Sequence, residues 1–268
     1  MGVNVRDQHV MFAFAGCSAL ATLWHRIGLE GVASGQVLNV PFSAGEALAL
    51  FALFIVITRM KNDTFFTRVD LLIIAALGVA FVFPSIKVAC VAITATALMF
   101  VTRRDTRLTS IGQLLLALVS FQYFARLIFD LIAPYALWLE TIAVAALLSQ
   151  FGDFSRDGFD IVGPSGLAIF IEPPCSAFHN ISVAAIIWLG LIKIERLHFV
   201  RSDWWALAAM IGATILVNTI RITLMAQSLT MLQYWHDGAG VTIVTVVMLV
   251  SVLAISLLSR AGSAPKLA

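Results

Sequence analysis

Apolar residues along this chain gather into runs at about 9–27, 44–58, 69–84, 86–101, 109–132, 135–150, 177–194, 203–229 and 239–259. A helix needs about 20 apolar residues to cross roughly 30 Å of hydrocarbon. Each run is therefore a candidate membrane helix. The weakest are the first, which ends in His25-Arg26, and the sixth, which is short and contains Glu140. No repeat, low-complexity tract or linker divides the chain, so the pattern predicts a single domain over 1–268.

The basic residues test the number of crossings. Arg59, Lys61 and Arg68 follow the second run, and Arg103, Arg104 and Arg107 follow the fourth. Lys193, Arg196 and Arg201 follow the seventh, and Arg260 and Lys266 lie in the tail. Loops rich in Lys and Arg stay in the cytoplasm. All four groups share a side only if 135–150 does not cross. The expectation is thus an all-α polytopic membrane protein with about eight transmembrane helices, both termini inside, and 135–150 as an interfacial or re-entrant helix. The segment 133–176, the turn at Pro84-Ser85 and the segment 230–238 then lie outside. Within 151–174, Asp153, Asp157, Asp160 and Glu172 stand against Arg156 alone. Phe159-Asp-Ile-Val and Leu167-Ala-Ile-Phe-Ile-Glu172 flank Gly163-Pro-Ser-Gly166, which predicts a short extracytoplasmic β-hairpin.

Composition agrees with the pattern. Of 268 residues, 60% are hydrophobic and 12% charged, and the mean hydropathy is +0.97; a soluble domain carries about 25% charged residues. The net charge of +2 is too small to point to nucleic acid. Cys17, Cys90 and Cys175 are too few for a disulfide framework and lack the spacing of a zinc site. The first apolar run is followed by His25 and Arg26, not by a small-residue cleavage site, so no cleavable signal peptide is expected.

Three features are unusual in their places. Glu172-Pro-Pro-Cys175-Ser-Ala stands at the entrance of the run 177–194. The prolines put Cys175 near a helix start, where open N–H groups and the helix dipole favour a thiolate. A small apolar cysteine is the plainer alternative there, and is the reading for Cys17 and Cys90. Asn218-Thr-Ile-Arg221 lies inside an apolar stretch, with Asn218 and Arg221 on one helix face. A charge there normally faces a polar cavity, the alternative being an arginine that snorkels to the outer headgroups. Arg221 is expected about 12 Å below the outer end of its helix. His236-Asp-Gly-Ala-Gly240 sits in the outer turn before the last run, where an ordinary turn histidine is the alternative. On the eight-helix topology all three features fall at the same outer level. Cysteine, histidine and arginine can serve acyl transfer as thiolate nucleophile, proton-transfer group and oxyanion cation.

The order and spacing of Cys175-Ser176-Ala177, Asn218-Thr-Ile-Arg221-Ile222 and His236-Asp-Gly-Ala-Gly240 resemble the exosortase/archaeosortase family of membrane transpeptidases. The resemblance covers about 135–245, the expected catalytic part, and departs from the family pattern at Ala177, where glycine is usual, and in Phe178-His179-Asn180. It implies Cys175, Arg221 and His236 as catalytic residues, with Asn218, Ser176 and Gly240 in support. His179, four residues after Cys175, is the alternative base. It further implies a cysteine protease/transpeptidase of the bacterial inner membrane, with its active site facing the periplasm. The substrate it implies is a secreted protein with a C-terminal sorting signal (often Pro-Glu-Pro), a transmembrane tail and a basic end, cut through a thioester. No metal or organic cofactor is called for, and exopolysaccharide machinery is an implied partner. The rival readings are a multi-span transporter or channel with an anion site at Arg221, and a catalytically inactive assembly factor for polysaccharide export.

Overall fold

A computed structural model describes residues 7–26, 44–60, 66–83, 85–103, 105–163, 166–171 and 175–261. The chain forms two compact units, one of Met1–Tyr123 with Leu189–Phe199 and the other of Phe124–Trp188 with Val200–Ala268.

The first unit holds α1 (Asp7–Arg26), α2 (Ala44–Thr58), α3 (Arg68–Val79) with a 3₁₀ turn at Ala80–Val82, α4 (Ile86–Val101) and α5 (Thr106–Val119). Polar residues fix where these helices start. Thr67 and Asp70 form a capping box on α3, and the Asp105 carboxylate accepts from the N–H groups of Arg107 and Leu108. Each satisfies backbone donors that a helix start leaves open. Helices α4 and α5 pack closely through Gly112, where a Cβ would stand 2.5 Å from the Ala97 carbonyl oxygen. Several basic groups of the sequence meet at one end of this unit. Arg59 donates to the Ile194 carbonyl, Ser110 to the Leu197 carbonyl, and Arg103 pairs with Asp70. The start of α1 is at the same end, because Gln8 donates to the Ile57 carbonyl and Asp7 accepts from Phe66 N–H.

A π-helical stretch, Ser120–Phe124, leads into the second unit. There α6 (Ala125–Leu148) is followed by strands β1 (Ser155–Asp157), β2 (Asp160–Val162) and β3 (Ala168–Phe170). Next come α7 (Ala177–Glu195), α8 (Arg201–Met225), α9 (Leu229–His236) and α10 (Ala239–Ala261). Of α7, the part up to Trp188 belongs to this unit. The expected hairpin is present as the antiparallel pair β2–β3, with Ile161 opposite Ile169, and β1 extends it to a three-stranded meander. Alternation turns one side of the meander inward. Ile161, Ile169 and Ile171 join Val144 and Leu148 of α6 and Ile222 and Met225 of α8 in one buried cluster. Helices α8 and α10 pack side by side. Arg201 and Arg260 therefore lie at the end of this pair away from α9.

Three helical segments are long and apolar enough to cross a membrane: Leu127–Leu148, Arg201–Met225 and Ala239–Ser259. This fits an all-α membrane protein but not eight crossings. Helices α2 to α5 have 15, 12, 16 and 14 residues, about 18–24 Å at the helical rise against roughly 30 Å of hydrocarbon. The apolar runs form helices, and polar caps at Thr67 and Asp105 set where α3 and α5 begin. The separate interfacial or re-entrant helix at 135–150 is also corrected, since that stretch belongs to α6. Proline lacks an N–H and clashes with the carbonyl four residues back, so the pattern breaks at Pro134. The helix instead carries Pro134 inside it, as apolar membrane helices tolerate. The expected outer turn 230–238 is largely the short helix α9, started by Ser228, whose side chain accepts from Met231 N–H. Arg104, Pro84 and Glu172 to Pro174 lie outside the described residues.

Candidate functional site

The centre of the polar arrangement in the second unit is Asn218, fully buried on α8 at 0% exposure. Its amide nitrogen donates to the Cys175 carbonyl at 2.9 Å and to Glu140 Oε1 at 3.2 Å. Its oxygen accepts from the Asn180 side chain at 3.2 Å. A buried amide must find such partners or forfeit about 1–3 kcal/mol for each group left unmet. Three elements thus meet on one side chain: α6 through Glu140, the turn before α7 through Cys175, and α7 through Asn180.

Glu140 Oε1 also accepts from the Ala177 N–H at 2.6 Å, and the buried Ser176 hydroxyl accepts from Phe178 N–H at 3.1 Å. The second contact is an ordinary N-cap. The Phe178 ring stacks on Phe129 of α6, centroids 4.9 Å apart. The open N–H groups expected to favour a thiolate at Cys175 are therefore occupied at Ala177 and Phe178. The negative carboxylate at the helix start opposes the dipole it meets. Glu140 Oε2 is buried with no hydrogen-bond partner among the described residues.

Arg221 lies one turn after Asn218 on α8. Because the helix ends at Met225, Arg221 is four residues, about 6 Å, from that end, half the expected depth. Its Nε donates to the Trp235 carbonyl at 3.1 Å, which ties α8 to the last turn of α9. Among the described residues no hydrogen bond or ion pair holds the terminal guanidinium nitrogens. Gly240 makes the arrangement at α9 sterically feasible. A Cβ there would stand 2.6 Å from the Trp235 ring and 2.8 Å from both Trp235 Cα and the Tyr234 carbonyl oxygen. The start of α10 can pass beneath α9 only with glycine.

His236 ends α9. Its Nδ1 lies 2.8 Å from Asp237 Oδ1, with the two side chains 44% and 79% exposed. A protonated Nδ1 donating to that carboxylate leaves Nε2 as the basic atom. Among the described residues His236 hydrogen-bonds to Asp237 and not to Cys175 or Arg221. Cys175 itself is partly buried, Cys17 exposed and Cys90 buried. His179 falls in the first turn of α7, but its side chain lies outside the described residues.

The turn carrying Cys175 and the helices carrying Arg221 and His236 thus come to one end of the second unit. They are linked by Asn218 to Cys175 and by Arg221 to Trp235. The chemistry on offer is a thiol, an arginine whose terminal nitrogens have no partner among the described residues, and an imidazole beside a carboxylate. Glu140 and Asn180 were not among the expected site residues. The signal for Glu140 was present, as an ionisable residue inside an apolar run; Asn180 carried none beyond its place after Cys175. Among the described residues no group of three His, Cys, Asp or Glu side chains could hold a metal ion. No family model, curated protein or solved structure matches this chain.

Proposed function

We propose that the protein is a membrane-embedded cysteine transpeptidase of the exosortase/archaeosortase type, acting on the C-terminal tails of secreted proteins. The observation that carries this reading is the hydrogen bond from Asn218 to the Cys175 carbonyl. It joins the Cys175 turn to the helix that carries Arg221 one turn further on, while Arg221 is joined in turn to the residue before His236. The three motifs of the resemblance are far apart in sequence, yet their backbones are tied together by two side chains.

In this mechanism His236 takes the proton of Cys175, since Glu140 offsets the helix dipole that would otherwise favour the thiolate. The sulfur attacks the scissile carbonyl carbon, and the carbonyl oxygen becomes an oxyanion facing the Arg221 guanidinium. Collapse breaks the C–N bond, with the leaving nitrogen taking the proton from His236. The product is a thioester on Cys175. An amine or water then attacks, gives its proton to His236, and the cysteine leaves as thiolate. No step requires a metal or organic cofactor.

The orientation that suits this chemistry puts the start of α8 and the end of α10 in the cytoplasm of a bacterial inner membrane, with both termini inside. The meander bearing Asp157 and Asp160, with Asp153 just before it, the Cys175 turn and α9 then face the periplasm. The substrate would be a secreted protein with a sorting signal and transmembrane tail, and exopolysaccharide machinery the associated system.

The test is processing of a tailed reporter by membranes containing single variants at matched expression. Cys175→Ala abolishes processing, because the covalent route is lost. Arg221→Ala lowers it by about 10²–10³-fold, as for loss of one oxyanion donor. Alanine at Cys17 or Cys90 leaves it within a few-fold. Equal loss at Cys17 with normal insertion contradicts the assignment.

A further inference from the structure

We infer that Glu140 is the positioning residue of this site, holding the turn that carries Cys175 from the neighbouring helix α6; the inference rests on the reading of Cys175 as nucleophile. The Cys175 carbonyl and the Ala177 N–H belong to the two peptide groups that flank Ser176. The first accepts from Asn218 at 2.9 Å. The second donates to Glu140 Oε1 at 2.6 Å, and the same oxygen accepts from Asn218 at 3.2 Å. One carboxylate oxygen and one amide therefore fix both peptide groups at once. Ser176 serves Phe178 N–H at the start of α7, so the carboxylate adds a second, tertiary partner there. A helix cap alone also leaves unexplained why an acid stands in an apolar helix with its second oxygen buried and without a partner among the described residues. Fixing the two peptide groups that directly follow Cys175 accounts for that placement, because a displacement near 1 Å at a reacting atom costs about 10²-fold in rate.

The experiment uses the full-length protein with Cys17 and Cys90 replaced by alanine, and compares Glu140→Leu and Glu140→Gln with this parent. Three quantities are read: processing of a tailed reporter, the rate of Cys175 alkylation by N-ethylmaleimide, and the thermal unfolding midpoint in detergent. Glu140→Leu is expected to lose about 100-fold in processing and to change the alkylation rate severalfold, while still unfolding in a single cooperative transition. Glu140→Gln keeps an acceptor oxygen and recovers processing to within about tenfold of the parent. A folded Glu140→Leu with near-parental processing and alkylation overturns the inference. If Glu140→Leu does not fold, Glu140→Asp replaces it, keeping the charge but drawing the acceptor back from Ala177. It is expected to process more slowly than Glu140→Gln, and equal or faster processing overturns the inference. If the parent does not process the reporter, the transpeptidase reading fails, while the alkylation rates still decide the role of Glu140. Equal rates in all variants overturn that role.

Discussion

At the scale of single residues, Asn218 carries the most. Its spacing before Arg221 put both on one helix face, and that much was legible from the sequence. Its bond to Cys175, 43 positions earlier, depends on how α7 and α8 pack, which no local spacing reports. Replacing it leaves Glu140, Asn180 and the Cys175 carbonyl each short of a partner inside the unit. Asn218→Ala is expected to lower unfolding stability by about 1–3 kcal/mol, measured by denaturant titration in detergent, and to reduce processing with it. Unchanged stability would mean that the amide is not satisfied as described. Glu140 was visible in the sequence but counted against the run that holds it as a membrane span. The rule that made Arg221 a site candidate, an ionisable group in apolar surroundings, applied equally to Glu140. His236 and His179 compete for the role of base. His236→Ala should lose processing and His179→Ala retain most of it; the reverse outcome would favour a local pair with Cys175.

At the scale of elements, the hydrophobic pattern located helices well and their membrane crossings poorly. The runs 44–58 and 86–101 coincide with α2 and α4, since apolar content and helix propensity act together there. The pattern failed at Pro134, where a strong local breaker is overridden within α6, and at α9, whose eight residues were hidden at the edge of an apolar run. The hairpin was legible because Gly163 to Gly166 marks its turn. The strand β1 was not, because Ser155-Arg-Asp157 is polar and exposed. The junction of α9 and α10 makes a sharp demand on one side chain. Gly240→Val places a Cβ 2.6 Å from the Trp235 ring and 2.8 Å from Trp235 and Tyr234 backbone atoms. Backbone cannot yield as a flexible side chain does, so about 1–3 kcal/mol of stability should be lost. The Trp235 carbonyl should also shift away from Arg221. Unfolding midpoints and reporter processing measured together check this, and a wild-type midpoint for Gly240→Val would refute the close approach.

At the scale of the whole molecule, the sequence placed basic groups between apolar runs, and hydrogen bonds draw several of them to one end of the first unit. In the second unit Arg201 and Arg260 lie away from the candidate site, while the acidic meander lies beside it. The proposed orientation can be tested directly. Single cysteines at Arg196, Ser155 and Asp237, with the native cysteines replaced, should respond to an impermeant maleimide in intact cells at 155 and 237 but not at 196. Labelling of 196 without 155 would invert the orientation. The most direct test of the whole account is the covalent intermediate. Membranes carrying the protein would be incubated with a tailed reporter, quenched in acid, and mapped by peptide mass spectrometry. The predicted result is the reporter's new carboxyl end joined as a thioester to Cys175, absent from Cys17 and Cys90, and released by hydroxylamine. Processing that proceeds with no adduct on Cys175 and survives in Cys175→Ala would contradict it.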